Sequence, residues 1–157
     1  MTMIMIWLED RRLVSSPPCL TGFPRLSSDG AEMGDVSDLV GRNILLVEDE
    51  MILAMEIEHS LDEAGAHVIG PAGRLRDALQ LALDRKRQMD AAILDGDLHG
   101  LDVFPVADAL KARGVPFLFH TAHGSRAGLK DRYSGAVVCT KPVFSEHLVA
   151  LVAGLID

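Results

Sequence analysis

At 157 residues, with 48% apolar and 24% charged side chains, the chain is long enough to bury one sizeable core and is ordinary in make-up for a globular protein. Fifteen Lys and Arg against 23 Asp and Glu leave a formal charge of −8, a field that repels phosphate backbones and anionic lipid and argues against nucleic acid or a membrane surface as partner. Cys19 and Cys139 fit no zinc or disulfide spacing, and no stretch approaches about eighteen uninterrupted apolar residues, which points to a protein free in a reducing cytoplasm.

Residues 1–40 carry "SSPPC", "GFP" and "SSDG", turn-rich segments without the period of a helix or a strand, and read as a disordered extension or a mis-assigned start ahead of Met33. The opening apolar run is broken by Glu9, Asp10, Arg11 and Arg12 and has no leading positive charge, unlike a signal peptide. From 41 to 157 the pattern changes to one folded domain in which short apolar runs alternate with amphipathic stretches, as in a parallel sheet covered on both faces. "NILLVED" is the first strand. The following helix has Leu53, Ile57 and Leu61 four apart and stops at Gly65.

"HVIGP" is the second strand, and "RLRDALQLALDRKR" a helix with Leu75, Ala78, Leu79, Ala82 and Leu83 on its apolar side and a solvated basic end. "DAAILD" is the third strand; after Gly100 a helix is expected with Asp102 as cap, Pro105 in the first turn and Gly114 as stop. "VPFLFHT" is the fourth strand, followed by a weakly periodic short helix. "AVVCT" is the fifth, with Cys139 in the core, and a last helix turns Phe144, Leu148, Leu151 and Leu155 inward.

Right-handed crossovers bring the carboxyl ends of parallel strands to one edge, where ligands bind. Those ends carry Glu48 and Asp49, Asp95, Thr121, and Lys141 before Pro142. Carboxylates ~4 Å apart repel by about 4 kcal/mol per pair at an effective dielectric of ~20, so the cluster calls for a cation. Oxygen ligands suit a hard ion such as Mg2+. Asp95 then reads as a metal-bound nucleophile toward a phosphoryl group, with Lys141 and Thr121 binding its oxygens.

These motifs, over roughly residues 42–157, resemble the response-regulator receiver domain of two-component signalling, in particular stand-alone receivers of alphaproteobacteria. The resemblance implies a flavodoxin-like (βα)5 doubly wound parallel sheet with strand order 2-1-3-4-5. It implies phosphorylation of Asp95 by a sensor histidine kinase or phosphotransfer protein, with Thr121, Ala122 and Lys141 binding the phosphoryl group. Mg2+ is then held by Asp49, Asp95 and the backbone carbonyl of Asp97, with Glu48 acting partly through water. The chain departs from the family in three places. Val138 stands where many receivers have an aromatic switch residue, His99 stands where Pro is frequent, and the segment after Thr121 is short.

The chief rival is a haloacid-dehalogenase-like phosphatase, whose Asp-x-Asp loop "ILDGD" resembles. That superfamily puts its nucleophile on the first strand and its acidic pair last; here the acidic pair comes first, and there is little room for a cap domain. A receiver-like interaction module that is never phosphorylated is the other alternative. His99, His120 and His123 fall near the same edge but are expected to serve packing or surface roles rather than a transition metal. With no output segment expected after Asp157, the predicted role is a non-enzymatic phosphorelay receiver acting through an unidentified downstream protein.

Overall fold

The computed structural model describes residues 33–122 and 126–156; most of the expected extension, residues 1–32, and His123 lie outside the described residues. Five parallel strands, β1 (Asn43–Val47), β2 (His67–Ala72), β3 (Ala91–Asp95), β4 (Phe117–Thr121) and β5 (Val137–Thr140), form one sheet in the order 2-1-3-4-5, as expected. Five helices alternate with them: α1 (Met51–Glu63), α2 (Leu75–Leu83), α3 (Phe104–Ala112), α4 (Arg126–Arg132) and α5 (Ser145–Ile156). No described helix is long and apolar enough to cross a membrane.

Strand alternation splits the core into two layers. Ile44, Leu46, Ile93 and Leu118 face α1 and α5, where they meet Ile57, Leu61, Leu148 and Val152. Leu45, Val47, Leu94 and Phe119 face the other way, onto Ala78 and Ala82 of α2, Val106 and Leu110 of α3 and Leu129 of α4. All five residues of β3 are buried, which fits a central strand covered on both faces.

Local departures from the expected elements have identifiable causes. Asp84 ends α2 because its carboxylate accepts from the Lys86 amide at 3.1 Å, an amide that a longer helix would use for its own ladder. Arg113 donates to the carbonyls of Ala82 and Arg87 at 2.7 and 2.6 Å, so the basic run "DRKRQ" lies in a loop beyond the helix and Leu83 is exposed rather than inward. Asp102 does not cap α3: it pairs with Asp97 in a two-residue antiparallel ladder, and Val103 takes the cap position. Phe144, expected to face inward, is 83% exposed, because it precedes α5 and only its carbonyl, accepting from His147 and Leu148, joins the helix.

Residues 33–40 also depart from the expected extension. Asp35 caps a 3-10 turn, Val36–Leu39, by accepting from Ser37 N at 2.9 Å, and Leu39 is fully buried against the α1/α5 layer. Gly34 N donates to Ala150 O of α5 at 3.0 Å, so the fold begins before Gly41. Composition misses this because one buried leucine among turn residues has no period. Replacing Leu39 with Ala should lower unfolding stability by about 3 kcal/mol, read by urea denaturation. A change within ~0.5 kcal/mol would show that the segment does not belong to the core.

Candidate functional site

Three strands deliver the central residues to one edge. Glu48 follows β1, Asp95 closes β3, and Lys141 follows β5, its amide donating to Thr121 O at 2.8 Å and so fixing the lysine beside β4. From there Lys141 Nζ reaches over the sheet end to Asp95 Oδ2 at 3.0 Å and to Glu48 Oε1 and Glu50 Oε1, each at 3.1 Å. The carboxylates of Glu48 and Asp95 are 1% and 6% exposed and the lysine side chain 15%. Glu50 is the exposed member, with 65% of its side chain open to solvent.

Burial is the largest influence on each central group. It pushes the Asp95 carboxyl up to about 7, and the charge of Glu48 adds to that, against hydrogen bonds from Lys141 and the Asp97 amide. Burial also works against ionised Glu48, but His120, Asp95, Lys141 and the Glu50 amide together hold it below the usual carboxylate range. For Lys141, burial is outweighed by Asp95 and Glu48, which hold the ammonium above the usual lysine range. One ammonium therefore sits among three acids, and the pocket carries excess negative charge.

Oxygens of Glu48, Glu50 and Asp95 lie within 4.8 Å of one another, a donor set of hard oxygens that fits a divalent cation such as Mg2+. Glu48 Oε2 is buried without a hydrogen-bond partner, a lone pair of the kind an ion or donor would satisfy. Glu50 carries no signal of its own in the sequence beyond being the third acid of the run "EDE" that ends at the start of α1.

The structure does not bring Asp49 or the Asp97 carboxylate into that cluster. Asp49 Oδ2 accepts from His99 N at 3.0 Å and lies 3.2 Å from His99 Nδ1, while Asp97 Oδ1 accepts from Gly100 N. Both carboxylates thus bind the tight turn between the two short ladder strands, where His99 and Gly100 have φ of 54° and 83°. A proline, held near −65°, cannot occupy position 99 in such a turn. Asp97 is tied to the site through its backbone, its N–H donating to Asp95 Oδ1 at 3.1 Å.

Thr121 lies on the opposite face of β4 from His120, with its hydroxyl buried and unpartnered, and Ala122 follows it at the surface. Gly96 gives the hydroxyl room: a Cβ there would stand 2.6 Å from Thr121 Oγ1. Val138 is buried opposite Phe119 in the strand register, and the Phe119 ring packs against Tyr133, next to the end of α4. The Tyr133 hydroxyl donates to Asp108 of α3 at 2.7 Å.

No family model matches the chain. The phyllosphere-induced regulator PhyR of Methylorubrum extorquens is 31% identical over 153 residues, spanning 86% of this chain and 56% of that protein. The solution structure of SdrG from Sphingomonas melonis is similar with a TM-score of 0.62 and 30% identity, covering 76% of this chain and 98% of SdrG. The response regulator PhyR from Brucella abortus is similar with a TM-score of 0.65 and 27% identity, covering 77% of this chain and 50% of that one. The chain spans about half the length of the curated relatives it matches.

Because the folded-state pKa of Asp95 is raised, its ionised form opposes folding above about pH 7, and this penalty vanishes below about pH 4, where the carboxyl is protonated whether folded or not. Asp95→Asn should therefore stabilise the chelator-treated protein at pH 8 by about 1 kcal/mol, a rise of ~4 °C in Tm, and leave it unchanged at pH 3.5. A lower Tm at pH 8 would contradict the electrostatic description of the pocket.

Proposed function

This chain belongs to the response-regulator receiver family, and on that premise we propose that it is a phosphoacceptor in which Asp95 takes a phosphoryl group from a histidine kinase or phosphotransfer protein. The observation that carries this reading is the bridge from Lys141 to Asp95 and Glu48 at 3.0 and 3.1 Å. A carboxylate oxygen of Asp95 attacks phosphorus in line, the phosphorus–nitrogen bond of the donor phosphohistidine breaks, and an acyl phosphate remains. In this reading Lys141 then binds an oxygen of the new phosphoryl group, and the Thr121 hydroxyl, which is buried without a partner, would turn to donate to another.

Mg2+ bound by Glu48 and Asp95, with Glu50 in the same cluster, would neutralise the charge that builds on the phosphoryl oxygens. The family resemblance adds Asp49 and the Asp97 carbonyl to that set. Beside the acidic edge, Met51, Ile52 and Met55 of α1 and Phe144 ahead of α5 are 61% to 83% exposed. They give the phosphodonor an apolar surface next to the acceptor.

The phosphorylated form is read by protein contact, as a bias on an equilibrium between two surface shapes. Moving a state from 1% to 99% takes about 5.5 kcal/mol of differential interaction, to which contacts from Lys141 and Thr121 to the phosphoryl group would contribute. A cytoplasmic, non-enzymatic role goes with this reading. The phosphatase alternative loses support at Asp97, whose carboxylate is engaged with the Gly100 amide rather than poised as an acid-base group.

Incubation with acetyl phosphate and Mg2+ should add one phosphoryl group to the protein and none to the Asp95→Asn variant, as read by intact mass. An unlabelled protein under these conditions, and with candidate kinases, would leave the interaction-module alternative standing. Rapid turnover of small phosphomonoesters would favour the phosphatase. Lys141→Ala strips a buried acid pair of its counter-charge and should cost about 2 kcal/mol at pH 8. It should still accept a phosphoryl group but no longer change partner affinity on doing so; a preserved phosphorylation-dependent affinity would refute the role of Lys141.

A further inference from the structure

Behind the acidic edge, a buried ring nitrogen and a buried carboxylate oxygen face each other, each without a hydrogen-bond partner. His120 is 1% exposed, and neither of its ring nitrogens has a partner. Its Nδ1 lies 3.7 Å from Glu48 Oε2, the other unpartnered buried atom on this side of the sheet end. The strand registers put His120 between Asp95 on β3 and Cys139 on β5, in a β4 that is otherwise Phe117, Leu118, Phe119 and Thr121. A histidine in that run needs a reason, because an isolated buried polar atom costs about 1–3 kcal/mol.

The two orphans are complementary. Closing their separation by roughly 0.7 Å turns both into one hydrogen bond to a charged acceptor. The protonation site follows from the geometry. With the proton on Nδ1, the ring donates to Glu48 and leaves a bare acceptor at Nε2. With the proton on Nε2 alone, a donor is stranded and the Nδ1 lone pair is set against a carboxylate lone pair.

We propose that His120 is a positioning residue that carries its proton on Nδ1, donates it in a hydrogen bond to Glu48 Oε2, and thereby aims Glu48 Oε1 at Lys141 and the cation site. The carboxylate is thereby held from both ends, since Oε1 already accepts from Lys141 Nζ at 3.1 Å and from Glu50 N at 3.2 Å. Outer partners of this kind fix ligand orientation and shift metal affinity by about 10- to 100-fold. The hydrogen bond stands by itself, whereas its effect on a cation rests on the receiver reading above.

Long-range proton–nitrogen correlation spectra of the full chain, labelled with 15N in histidine, test the first part; the ring signals lost in His120→Gln identify the residue. A proton on Nδ1 is expected, and a ring protonated on Nε2 alone overturns the proposal. Calorimetric titration with MgCl2 tests the second part. His120→Leu, which fills similar volume but cannot donate, should weaken Mg2+ binding about tenfold, and His120→Gln, whose amide can donate to Oε2, should recover most of it. Equal affinity in the Leu variant overturns the positioning role. If the unaltered protein takes up no Mg2+, the receiver reading of the pocket fails, and the ring protonation site still decides the hydrogen bond. That measurement needs no variant beyond the one used for identification.

Discussion

The site is organised by a single ammonium group. Lys141 Nζ lies within 3.1 Å of oxygens from Glu48, Glu50 and Asp95, and those acids reach it from two other strands of the sheet. Removing two carboxylates from water at one sheet edge is unfavourable unless a cation stands between them. The lysine supplies that cation from the far side of β4, so β1, β3 and β5 must be in register for the pocket to exist. Compensation is incomplete, however, and the raised Asp95 carboxyl records the deficit. A pocket in that condition takes up further positive charge, as a proton on Asp95 or as a cation.

The sheet also sorts the polar residues by face. Alternation places Glu48, Asp95, His120 and Lys141 toward α1 and α5, and Thr121 toward α4. Gly96 keeps that second side open, since any side chain there would collide with the threonine hydroxyl. The charge balance and the unpartnered hydroxyl thus occupy opposite faces of one strand end, one residue apart.

Much of the architecture was legible because it rests on strong signals. Five apolar runs separated by amphipathic stretches leave little choice but a doubly wound sheet, and Gly65 and Gly114, with φ of 80° and 70°, stop α1 and α3 as expected. Asp95, Glu48, Lys141 and Thr121 were visible because strand ends converge, whatever the side-chain details. What escaped depends on contacts without a sequence period. Phe144 sits in the right phase for the inner stripe of α5 but falls one residue before the helix, and Asp102 was diverted by pairing with Asp97. Glu50 reaches Lys141 beside Glu48 and Asp95, and His99 engages Asp49 through a turn at positive φ, a backbone state that composition does not announce. His120 could be seen as near the edge, but its pairing with Glu48 depends on both being on one face and dry.

The strap formed by residues 33–40 bears on how the molecule presents itself. By bonding Gly34 to Ala150 and burying Leu39, it lays the chain's own polypeptide along α5, a helix whose Leu148, Val152 and Ala153 are already drawn inward. That end of the helix is shielded from any visitor by an internal cover. A version trimmed to start at Gly41 would lose the cover and show a bare greasy strip, the sort of surface that makes small domains stick to one another.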